Sequence, residues 1–92
     1  MSVKIDGYEY FLSERSDKKL KVKVNGKWIH FGQKNFEHFR DKTGLLDKKL
    51  NHEDDIRRFN YRARASKIKD KSGRLTVDDP ESANYHAFRI LW

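Results

Sequence analysis

The sequence predicts an α+β fold: an N-terminal antiparallel β-meander of about three strands, followed by two principal helices packed on the sheet. Three observations predict it. An Asn25-Gly26 pair sits between the alternating runs KLKVKV and KWIHFG. A later stretch opens with acids and closes with bases around a 3.6-residue apolar period. And 92 residues, 36% hydrophobic and 13% aromatic, allow one domain over 1–92 with a thin aromatic core under a charged surface.

The hairpin is the sharpest local signal. A two-residue Asn-Gly loop takes a type I′ turn, in which both central residues need positive φ. That turn sets Val24 opposite Lys27, Lys23 opposite Trp28, Val22 opposite Ile29, Lys21 opposite His30 and Leu20 opposite Phe31. Side chains alternate between faces. Leu20, Val22, Val24, Ile29 and Phe31 therefore form the core face. Lys19, Lys21, Lys23, Trp28 and His30 form the other. Tyr8 to Leu12 supplies a third strand. The second face has two readings. Lys21, Lys23, Trp28 and His30 resemble a secondary platform for stacking bases and neutralising phosphates. Alternatively the C-terminal tail covers Trp28, the favoured reading, because small domains rarely leave a tryptophan bare.

Residues 34–50 read as a short helical piece around Phe36 and Phe39, a turn at Thr43-Gly44, and packing leucines at 45, 46 and 50. The next helix takes Asn51 as N-cap, with Glu53, Asp54 and Asp55 in its first turn, where negative charge favours the helix dipole. At 100° per residue, Ile56, Phe59 and Ala63 form a core stripe. Arg57, Arg58, Tyr61 and Arg64 fall opposite, with Arg62 at the border. Lys71-Ser72-Gly73 is a turn, and Leu75 to Val77 a short extended piece. Asp79 and Pro80 start the last helix as N-cap and first residue. Ala83, Ala87, Ile90 and Leu91 form its packing face, and Leu91-Trp92 docks the terminus.

The charge is concentrated. Eight cations between Arg57 and Arg74 (Arg57, Arg58, Arg62, Arg64, Lys67, Lys69, Lys71 and Arg74) face Asp70 alone. That segment carries the whole formal net charge of +7. A localised basic segment attracts polyanions, and the arginine fork suits phosphate. Tyr61 within it either stacks on a base or packs within the fold. The alternative for the whole segment is a solvated face, or an acidic protein partner.

Little else carries chemistry. The chain has no cysteine, which excludes a disulfide, a thiol nucleophile and a thiolate zinc site. The five glycines are isolated, and the four histidines form no HxxxH pair. His52 with Glu53, Asp54 and Asp55 is the one cluster suited to a hard cation or a general base, and acids there more often cap. No enzymatic activity, cofactor or metal is expected. No apolar run approaches the roughly 20 residues of a membrane span. The N-terminus lacks the apolar core of a signal peptide, so neither membrane insertion nor secretion is expected.

One resemblance adds to this reading. It rests on His30-Phe31-Gly32, FEHFRDKTGL from Phe36 to Leu45, His52-x-Asp54-x-x-Arg57-Arg58-x-x-Tyr61-x-x-Arg64, then Ser82, Tyr85 and Leu91-Trp92. Over roughly residues 27–92 the chain resembles a family of small basic proteins of nucleocytoplasmic large DNA viruses and some tailed phages. Ala65 stands where the family usually has histidine, and Ala87 where it commonly has serine. The family has no assigned activity, so the resemblance implies a viral origin and a shared fold. It also raises a competing role for the motif: an internal network that joins His52 and Asp54 to the arginines and takes them off the surface.

The functional expectation is a small viral or phage protein that binds nucleic acid without sequence preference through its basic helix, in host cytoplasm, nucleoid or virion interior. Its alternatives are a virion protein docking on an acidic capsid surface and an inhibitor of a host nucleic-acid-binding defence protein. Oligomeric state stays open.

Overall fold

The computed structural model describes all residues, 1–92. Its class is α+β: a four-stranded antiparallel meander in the order β1-β2-β3-β4, with two helices. The strands are β1 (Ser2–Ile5), β2 (Tyr8–Leu12), β3 (Lys18–Val24) and β4 (Lys27–Gln33). The β3–β4 register is the one the Asn-Gly turn dictates, with Lys23 opposite Trp28 and Leu20 opposite Phe31. The additional strand, β1, is joined to β2 by Asp6-Gly7, both at positive φ. It is a second hairpin with the same turn chemistry as Asn25-Gly26.

One sheet face carries the core. Tyr10, Leu20, Val22, Val24, Ile29 and Phe31 pack there against Ala87, Ile90 and Leu91. The last three belong to α2 (Ala83–Ile90) and its C-terminal residue. Ser82, not Asp79, caps α2, its hydroxyl accepting from the Asn84 N–H, so Pro80 precedes the helix. Ala83 remains exposed. Beside α2 lies α1 (Asp55–Ala65), which packs on α2 and the C-terminal residues. The expectation of two helices on the sheet is corrected accordingly: α2 lies on β4, and α1 lies on α2.

Residues 34–50 form no α-helix. They run as an irregular loop that wraps the end of α2 and finish in a 3-10 turn at Lys48–Leu50. Arg40 and Lys42 donate backbone N–H groups to the carbonyls of Leu91 and Ile90. The buried Asp41 carboxylate organises the bend, accepting from the Thr43 N–H and hydroxyl and from the Leu46 N–H. Phe36, placed by the sequence in a short helical piece, lies in the irregular loop and is 63% exposed. Lys19, expected on the open face, is only 5% exposed. It lies beside Gly32, whose φ of +78° breaks the regular strand geometry at the end of β4.

Candidate nucleic-acid interface

Helix α1 is oriented opposite to its apolar period. Ile56 and Phe59 are 74% and 73% exposed, while Ala65 is buried and Arg58, Tyr61 and Arg62 are half-buried. The physical reason is the C-terminus. The Tyr61 ring stacks on Trp92 at 4.1 Å between centroids, with the planes 7° apart. Arg58 donates from Nε to the Trp92 carbonyl at 2.8 Å, and its guanidinium lies over Phe39 at 4.7 Å. Arg62 lies over Phe88 at 4.0 Å. Guanidinium planes on aromatic faces are favourable packing, and they let an arginine–tyrosine stripe serve as the inner face. Burial, with Arg58 and Arg89 nearby, disfavours the charge on Arg62. Burial also pushes the Tyr61 phenol up, partly offset by Arg64.

The motif around His52 belongs to the same clasp. Asp54, not Asn51, caps α1, its carboxylate accepting from the N–H groups of Ile56 and Arg57. His52 accepts at Nδ1 from the Asp54 N–H and lies 5.1 Å from the Trp92 ring. Glu53 pairs with Arg40, and Arg57 with Glu37 at 2.9 Å. The acids of this cluster thus serve as a cap and an ion pair, and no group of three or more His, Asp or Glu side chains converges as metal ligands would. Asn51 instead joins the buried His38 and the Asp41 backbone.

The nine residues expected at the interface therefore divide. Arg57, Arg58, Tyr61 and Arg62 are engaged within the fold. Arg64, Lys67, Lys69 and Lys71 are exposed and make no ion pair. Arg74 is exposed as well and donates to the Asp78 carbonyl. Asp70, the one acid among them, is spent on the turn: its Oδ1 accepts from Ser72 N–H, Ser72 hydroxyl and Arg74 N–H. Those bonds hold its carboxyl below the usual range. Five cations thus crowd the end of α1 and the loop after it, none of them in an ion pair, with Asp70 the one acid among them.

The secondary platform stays open. Trp28 is 45% exposed, and the C-terminus lies on the other side of the molecule, against Tyr61, so the expected cover of Trp28 is absent. Phe11 meets its ring edge-on at 5.7 Å, and the Lys21 and Lys23 ammonium groups lie 4.5 and 5.8 Å from its centroid. Lys21 also pairs with Glu14 at 2.7 Å. His30 shares a 2.7 Å hydrogen bond with Ser13. Phe11 was not foreseen here, although alternation from Tyr10 assigns it to this face.

A cleft of about 920 Å³ opens between α1 and the end of β4. Its sequence signal was weak, because its walls come from segments as far apart in the chain as Lys19, Arg64 and Trp92. No helix is long and apolar enough to cross a membrane. Comparison with family models, curated proteins and solved structures returned no match.

Proposed function

We propose that this is a small viral or phage protein that binds nucleic acid without sequence preference. The carrying observation is the group of exposed cations Arg64, Lys67, Lys69, Lys71 and Arg74, none with an acidic partner. Held at the end of a helix and in the adjoining loop, they favour a polyanion through charge density rather than through a shaped groove, which is sequence-independent binding. Lys23 and the exposed Trp28 ring, edged by the half-buried Phe11, add a stacking face for unpaired bases.

The test is fluorescence anisotropy with labelled duplex DNA, single-stranded DNA and RNA over a salt series. Neutralising five phosphates on duplex DNA gives a log–log salt slope of about −4.5. Single strands give a shallower slope, and there Trp28→Ala weakens binding. Absence of binding to all three at about 50 mM salt, where phosphate contacts are strong, removes the reading.

A second reading, docking on a protein surface, draws on Ile56 and Phe59, which present an apolar stripe to solvent beside the basic segment. It gains ground if Phe59→Ser abolishes co-purification with a virion protein while nucleic acid fails to bind.

A further inference from the structure

The cleft between α1 and the end of β4 contains a charge without a partner. Lys19 lines it and is 5% exposed, yet its ammonium bonds only to the Phe36 carbonyl and, at 3.0 Å, to His38 Nδ1. No carboxylate bonds to it, and Asp41 and Glu37 act on it only from farther off. A buried cation so placed is short of negative charge, and an anion entering the cleft supplies it. Burial pushes this amine down to about 8, and the Asp41 and Glu37 carboxylates offset it only in part. Arg64 adds a second unpaired cation on the helix wall, whereas Arg57 is already bound to Glu37.

The rest of the lining is mixed and includes the Glu37–Arg57 ion pair, three aromatic rings and two amides. Phe36 stands exposed on one wall, and the Tyr61–Trp92 stack forms part of the other. Gln33 and Asn60 add amides with both donors and acceptors, suited to a base edge. We propose that the cleft binds one nucleotide unit, its base against Phe36 and the Tyr61–Trp92 pair and its phosphate held by Lys19 and Arg64. The unit is a free nucleoside monophosphate or a splayed nucleotide of an unpaired strand. The proposal shares Arg64 with the nucleic-acid reading and is otherwise independent of it.

Trp92 provides the readout. In a Trp28→Phe chain it is the sole tryptophan of the two. Adenosine monophosphate, adenosine, inorganic phosphate and a short oligothymidylate are titrated against its fluorescence. Adenosine monophosphate quenches Trp92, and adenosine and phosphate each bind at least about tenfold more weakly, since each keeps only stacking or only charge-assisted bonds. Phe36→Ala, at an exposed side chain that the fold does not need, weakens the nucleotide about tenfold and leaves duplex affinity unchanged. Lys67→Ala/Lys69→Ala/Lys71→Ala does the reverse. Quenching by the oligonucleotide alone assigns the unit to a strand; quenching by the monophosphate as well assigns it to a free nucleotide. No quenching by either, or phosphate binding as tightly as the monophosphate, overturns the proposal, whatever the duplex result.

Discussion

Two buried histidines are fixed in one tautomer by their partners. His86 Nε2 faces the Pro80 carbonyl at 2.7 Å and so carries the proton, leaving Nδ1 to accept from the Tyr10 hydroxyl at 2.8 Å. His38 is held likewise. Asn51 Oδ1, which also accepts from the Asp41 N–H, takes the Nε2 proton, and Nδ1 accepts from Lys19. A second proton on His38 sets a donor against the Lys19 ammonium, which has no acceptor to offer. Burial first, and Lys19 beside His38 or Arg89 beside His86, holds both imidazoles below the ordinary histidine range. The unfolded chain therefore binds more protons below about pH 6.5, and stability rises with pH there. The stabilisation is complete above that value and is lost as pH falls from it through the lower folded values. Thermal melts are expected to show Tm falling between pH 7 and 5; a flat Tm contradicts the assignment. Gly32 is the other single residue on which the fold turns. A Cβ there lies 2.9 Å from Leu91 Cδ1 and 3.3 Å from Lys19 Cβ, at a φ of +78°. Gly32→Ala is expected to cost about 1–3 kcal/mol, lowering Tm by roughly 5–15 °C, through backbone strain and overpacking.

At the scale of elements, α1 is where periodicity misleads. Hydrophobic spacing places Ile56, Phe59 and Ala63 inward; the helix instead turns Arg58, Tyr61 and Arg62 inward, with Ile56 and Phe59 exposed and Ala63 half-buried. Tyr61→Ala is expected to destabilise by about 2–3 kcal/mol, removing a stacked ring and leaving a gap under Trp92. Phe59→Ser and Ile56→Ser are expected to stay within about 0.5 kcal/mol, as surface substitutions do. Urea denaturation of the three variants checks this, and a Phe59→Ser cost equal to that of Tyr61→Ala would return the helix to the ordinary orientation. The hairpins were legible because Asn25-Gly26 fixes register through local backbone chemistry, and Asp6-Gly7 offered the same signal. The docking of Leu91-Trp92 was legible from its apolar ending. The orientation of α1 was not, because it depends on Trp92, Phe88 and Phe39, all distant in sequence, whose faces accept guanidinium. Nor was the cap at Asp54: Asn51 carries an equally good capping side chain, and the path of the preceding loop selects Asp54. The pairing of Lys19 with His38 has no local signature.

For the whole molecule, the +7 charge resolves into unequal parts. Part of the basic segment clasps the C-terminus, and the cations from Arg64 to Arg74 remain at the surface outside any ion pair. On the proposed function, polyanion binding falls to the cations from Arg64 to Arg74 and not to Arg58 and Arg62. The most direct measurement is the salt slope of duplex binding for the wild-type chain against Lys67→Ala/Lys69→Ala/Lys71→Ala. Loss of three phosphate contacts is expected to flatten the slope by about 2.7, from about −4.5 to about −1.8, with the melting curve unchanged. An unaltered slope in the triple variant would contradict this division of the charge and move the interface elsewhere.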